Sequence, residues 1–231
     1  MTLISAFLFL SLSSFAQEKV TATLYGLKSK SDAVLYTSVF EAKLDGNLVE
    51  SQVVYKDPQG QIAVVEKGVM NGDQIVKYEM DRPQTKEKGE FHVKDGKIFF
   101  TYEGPNGKKT NDEKVKGSLL STANFNAFVL SHWADLEVGK GVEVRFAVWD
   151  RLETVGFTLQ RTGTAEKDGK KLLELRMKPT SFVIAAIVDP IYFWYSMDDK
   201  KLRSMKGRVA PKIQDNGKWK DLDARVDYSH Q

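Results

Sequence analysis

The stretch "GVEVRFAVWDR", residues 141–151, decides the fold class. Val142, Val144, Phe146 and Val148 fall on one parity, with Glu143 and Arg145 on the other, joined further on by Trp149. Side chains alternate across a strand with period two, so the pattern writes a β-strand with one apolar side. The same alternation continues outward in both directions. "KKLLELRMKP" sets Leu173, Leu175 and Met177 against Glu174 and Arg176. Upstream, Val34, Tyr36, Phe40 and Leu44 belong to one run, Val76, Tyr78 and Met80 to another, and Ile98, Phe100 and Tyr102 to a third.

Between these runs stand "LDGNL", "DPQG", "NGD", "GPNGKK", "MDDKK", "DNGK" and two copies of "KDGK". Asx-Gly and Pro-x-Gly pieces supply the positive-φ positions of tight turns, so each reads as a hairpin corner. The expected architecture is mainly β, a strongly curved antiparallel sheet of about ten strands forming a half-open barrel. Residues 17–231 make one domain, without a Pro/Ser-rich linker.

Two segments break the alternation. "SLLSTANFNAFVLSHWADLEVGKG" places Phe125, Phe128, Val129 and Trp133 at helical spacing, with Ser121 or Thr122 as N-cap and Gly139 as the stop. It reads as a single amphipathic helix lying on a sheet. In "KPTSFVIAAIVDPIYFWYSMDDKK", residues 182–188 are all apolar and 191–195 are apolar or aromatic. Thr180 or Ser181 can cap a short helix that Pro190 ends, although the β-branched content also suits a buried strand. Either way the segment is expected inside the core or across the mouth of the curved sheet. The two helices are therefore placed on the concave face. The strand after Pro190, apolar on both parities, suggests contents on both sides of the sheet.

The first sixteen residues have the form of an export signal. Leu3 to Leu12 is apolar except for Ser5 and Ser11, and Ser14 and Ala16 stand at the small positions before Gln17. The expected address is periplasmic or secreted, with no membrane span in the mature chain. The absence of cysteine rules out a lipid-anchored lipoprotein, thiolate metal sites and thiol redox chemistry. Thirty-four basic residues face 31 acidic ones, interspersed, so no basic stripe for nucleic acid exists.

Catalytic patterns are sparse. His92, His132 and His230 form no metal-binding pair, and no cofactor is expected. "GPNGKKT" lacks phosphate-loop spacing, and no G-x-S-x-G elbow occurs. Asp150 and Glu153 are close in sequence, and a carboxylate pair could serve glycoside hydrolysis, but charged residues at a strand bend read as turn formers beside a solvated face. No catalytic residue is assigned. Phe125, Phe128, Trp133, Trp149, Phe182, Ile184, Ile187, Phe193 and Trp194 remain as the candidate lining of an apolar cavity, with ordinary core as their other fate.

The spacing from Phe125 and Phe128 through Trp133, Leu136 and Gly139 to Val142, Val144 and Phe146, with "VDPIYFWY" later, resembles a group of uncharacterised exported bacterial proteins. The architecture is similar to the half-open barrels of the LolA/LolB-like periplasmic group. That resemblance implies a lipid or acyl-chain cavity without catalytic residues. The chain lacks the cysteine of the anchored receptors. The leading expectation is a non-catalytic protein that binds an apolar small molecule or lipid. An envelope protein-protein interaction module, or a hydrolase of envelope polymers using His132 or Asp150 and Glu153, are the alternatives.

Overall fold

A computed structural model describes residues 18–27, 33–186 and 188–230. The export-signal segment and Ile187 lie outside the described residues. In chain order the elements are β1 (Glu18–Gly26), β2 (Val34–Asp45), β3 (Leu48–Lys56), β4 (Ile62–Asn71), β5 (Gln74–Arg82), β6 (Glu87–Lys94), β7 (Lys97–Gly104), β8 (Gly107–Lys114) and β9 (Ser118–Leu120). Then follow α1 (Phe125–Ser131), α2 (Trp133–Glu137), β10 (Val142–Val148), β11 (Glu153–Lys167), β12 (Lys170–Pro179), α3 (Phe182–Ala185), β13 (Ile191–Ser196), β14 (Leu202–Asp215) and β15 (Lys218–His230).

All fifteen strands join one open, curved sheet in the order β8-β7-β6-β5-β4-β3-β2-β1-β15-β14-β13-β12-β11-β10-β9. Pairing is antiparallel except between β9 and β10 at one edge. The count exceeds the expected ten because several strands lack a clean apolar phase. The edge strand β8, "GKKTNDEK", is almost wholly exposed and carries no apolar residue. Charged residues on an edge discourage pairing with another chain. The Asx-Gly corners fall where the sequence puts them, with Gly46, Gly72, Gly96, Gly169 and Gly217 all at positive φ.

The curl brings distant parts of the sheet together: β9 lies against β5, and β11 approaches β8. Two cores result. The first collects Leu24, Val64, Tyr78, Phe91, Ile98 and Phe100 with Leu222 and Val226. The second collects Leu159, Leu173, Leu175, Met177, Phe193 and Tyr195 with the apolar side chains of α1 and α2. β10 serves both. Val144 belongs to the second core, while Ala147 and Trp149, on the other parity, enter the first. Gly89 makes this possible, since a Cβ there would overlap the Trp149 ring. The chain at β10 thus buries side chains on both of its sides. On β13, Phe193 and Tyr195 are buried, whereas Tyr192 and Trp194 point to the other side and are half-buried.

Two expectations about helices need correction. The segment after Ser121 forms two short helices, with the chain turning at His132 (φ −104°, ψ 14°). Neither Ser121 nor Thr122 caps it; Asn124 is the N-cap residue, without a side-chain cap bond. The apolar tract before Pro190 is not enclosed either. Ser181 caps α3 by accepting a hydrogen bond from the Ile184 amide, yet Phe182 is 90% exposed and Val183 74%. Only Ile184 of the three packs on the second core. α1 and α2 already fill that interior, so a connection at the strand ends has no core left to enter.

Candidate binding site

Eight of the nine residues singled out from the sequence are described, all but Ile187, and they divide into distinct groups. Phe125, Phe128, Trp133 and Phe193 come together in the second core: the Phe125 and Phe193 rings stack at 4.3 Å, and Trp133 meets Tyr195 edge-on at 6.1 Å. Ile184 packs at the margin of that core. Trp149 lies apart in the first core, beneath the Arg82 guanidinium at 4.9 Å and stacked on Tyr102 at 5.9 Å. Phe182 stands in solvent. Trp194, on the opposite side of the sheet from Phe193, stacks on Tyr192 at 6.2 Å.

The second core has an unusual cover. Leu159, Leu173, Leu175 and Tyr195 are all fully buried. What packs on them from above is α1, of seven residues, and α2, of five. Helices this short are marginal by themselves, and neither has a side-chain cap. The pair is held at its entrance by polar contacts to the β4–β5 hairpin. The Asn124 amide donates to the Asp73 carbonyl at 2.8 Å and to the Leu119 carbonyl at 3.0 Å, and the Ser131 hydroxyl donates to the Asp73 carboxylate at 2.6 Å. Ala123 sits on Gly68, where a Cβ would collide with it. At the far end Arg161 donates to the Glu137 carbonyl at 2.6 Å.

Beside this entrance lies a polar cluster that the sequence reading missed. Glu66 is buried on the inner side of β4. One of its oxygens accepts from the Tyr78 hydroxyl at 2.9 Å and from the Thr122 hydroxyl, two residues ahead of Asn124. The Tyr55 hydroxyl also interacts with this carboxyl. Burial pushes the Glu66 carboxyl above its ordinary pKa, against the opposing effect of the hydroxyls of Thr122, Tyr78 and Tyr55. Burial likewise raises Tyr55, Tyr78 and Tyr228. The Tyr195 hydroxyl, within electrostatic range of Tyr228, is also raised by burial and has no hydrogen-bond partner. One signal was available in the sequence: Glu66 shares its parity with Val64 and Met70, so the strand must carry a carboxyl inward.

The residues weighed for catalysis are scattered. His132 stacks on Phe128 at 4.1 Å, with Nδ1 3.0 Å from the Phe128 carbonyl. Glu153 pairs with Arg151 at 2.6 Å, and Asp150 is exposed. No group of three metal-ligating side chains occurs among the described residues. An open groove of about 570 Å³ crosses the outer side of β3–β8, and Lys67, Glu79, Asp81, Lys88 and Glu90 line it. None of the eight described candidates lines that groove. No helix of the described residues is long and apolar enough to cross a membrane.

No family model and no curated protein matches this chain. Solved structures to which it is similar include a LolA superfamily protein from Nitrosomonas europaea, at 10% identity over 92% of this chain and 83% of that one, with a TM-score of 0.23. They also include a porin-like protein from Bacteroides uniformis, at 9% identity over 92% and 97% of the two chains, TM-score 0.26. A third is a DUF1329 family protein from Desulfovibrio piger, at 9% identity over 92% and 82%, TM-score 0.26. The LolA group suggested by the sequence is thus among its structural likenesses.

Proposed function

We propose that this chain is a non-catalytic binding protein of the bacterial envelope, exported and periplasmic. It holds a lipid or other acyl-bearing molecule on the concave side of the half-barrel, beneath α1 and α2. The observation that carries the reading is the cover itself: fully buried leucines and a tyrosine of the sheet are closed off by two short, uncapped helices. Withdrawal of the pair about its Thr122–Asn124 entrance exposes an apolar bed formed by Leu159, Leu173, Leu175, Met177 and Phe193. An acyl chain replaces the helix side chains there without loss of buried apolar area. The unpartnered Tyr195 hydroxyl supplies a donor for a carboxyl or ester oxygen of the ligand, since an unmade buried hydrogen bond is costly.

The chain from Gln17 onward, purified, denatured and extracted, should yield a lipid by mass spectrometry. Added long-chain fatty acid should raise its melting temperature through preferential binding to the folded state. Tyr195→Phe should weaken that binding by about 1 kcal/mol. Repeated extraction of nothing, together with no thermal gain from any acyl chain, would sink the reading.

A further inference from the structure

The most exposed large apolar side chain of the described residues, Phe182, is in α3, at an end of the sheet, and not in a groove; Val183 beside it is exposed as well. Phe182 is 90% exposed and Val183 74%, while Ile184 of the same turn packs on the second core. The helix is therefore fixed in place with two apolar side chains projecting from it. A projecting tip of this kind has no concavity to receive a protein side chain. It fits a soft apolar phase.

The surface next to α3 indicates which phase. On the outer side of the sheet, Arg176 is opposite Tyr192, Tyr192 opposite Lys206, and Lys206 opposite Arg225. One ladder thus carries three cations and an aromatic ring. Lys178, exposed, leads from the same side of β12 into α3. Arg176, Lys178 and Lys206 have no carboxylate at ion-pair distance among the described residues, unlike Arg208, which is paired with Asp221 and Asp223. Tyr192 and Trp194, stacked on one another and half-buried, stand in the same field. Apolar side chains beside unpaired cations and amphipathic rings match an anionic bilayer surface: rings sit at headgroup level, and basic residues are drawn to the negative leaflet.

We infer that the α3 face, led by Phe182 and Val183 and flanked by Arg176, Lys178 and Lys206, docks this protein reversibly on an anionic phospholipid membrane. Insertion of two apolar side chains with a few cations is a two-signal attachment, each signal weak by itself. The inference is independent of the acyl-binding proposal, because α3 and its flank lie outside the covered interior.

The test uses the chain from Gln17 and vesicles of phosphatidylglycerol mixed with phosphatidylcholine, or of phosphatidylcholine alone, in sedimentation at low and high salt. The wild-type chain should sediment with the phosphatidylglycerol vesicles, and with them only, and should be released by salt as screening shortens the reach of the cations. Phe182→Ser combined with Val183→Ser should weaken binding about tenfold or more, because the apolar insertion is lost. Lys178→Glu combined with Lys206→Glu should abolish the preference for phosphatidylglycerol. All four side chains are off the cores, so the variants should keep the wild-type melting temperature and acyl uptake. Failure of the wild type to bind, or equal binding by wild type and both double variants, overturns the proposal. So does a concentration-dependent dimer that Phe182→Ser and Val183→Ser disperse while vesicle binding is absent.

Discussion

Glu66 shows what one residue can do in this interior. Its parity on β4 carries it inward with Val64, where it meets the hydroxyls of Tyr78 and Thr122. Burial raises its pKa, so the sign of its pH dependence is fixed. Between the ordinary carboxyl value and the raised one, the folded chain keeps a proton that the unfolded chain has lost. The group's contribution to stability is therefore complete below the ordinary value and disappears as pH rises through the folded one. Glu66→Gln keeps the shape and has no titration. In urea titrations from about pH 4 to 7, wild type should lose stability relative to Glu66→Gln as pH rises. A constant difference across that range would show that the carboxyl pays no desolvation penalty. From the sequence, Glu66 was recognisable as an inward charge. Its partners were not, because Thr122 lies 56 positions away and only the curl of the sheet brings it there.

At the level of elements, the strands and helices differ in how firmly they are held. β11, β12 and β13 are joined by long ladders, with one irregularity between Arg161 and Gly163 of β11, and share a buried apolar side. α1 and α2 depend on packing and on a few bonds to the β4–β5 hairpin, with Leu130 and Val138 left exposed. Hydrogen exchange should therefore show residues 125–137 opening well before the amides of β12, as local unfolding separate from the global event. Equal protection of the two segments would rule out a movable cover. The elements legible in advance were those with a pure phase, such as β12. The break at His132 was hidden because Phe128, Val129 and Trp133 keep helical spacing across it. α3 was anticipated as a short helix capped at Thr180 or Ser181, with a buried strand as the alternative, but its hydrophobicity pointed to the interior. Apolar composition does not distinguish a buried turn from an exposed one, and here the space beneath was already taken.

Trp149 is one of the contacts that close the molecule as a whole, beside those of β9 on β5 and β11 on β8. Trp149, just past β10, lies on Gly89 of β6 and under Arg82, so that the second half of the sheet is fastened inside the first. Trp149→Ala should destabilise the fold by about 3–5 kcal/mol, measured by denaturant titration, because it opens a void where two layers meet. A loss no larger than that of an exposed substitution would mean the halves are held elsewhere. The first quoted stretch gave the strand and its parity correctly, with Trp149 on the side of Glu143 and Arg145. What it lacked was the identity of the facing surface. Alternation assigns a side chain to a side of its own strand, while the meeting of two sides depends on how a fifteen-stranded ribbon coils.

The pairing of β1 with β15 has one further consequence. Thr21 and Ser229 are neighbours across that ladder although 208 positions separate them along the chain. Strands β2 to β8 and β10 to β14 can each zip from local hairpins, but the two halves become one sheet only when the final strand arrives. Assembly of such a seam is slow, since the entropy of closing so long a loop is spent before any contact repays it. A polypeptide emerging N-terminus first must hold β1 with one edge bare until the thirteen residues of β15 come through, and during that interval it needs protection from its neighbours.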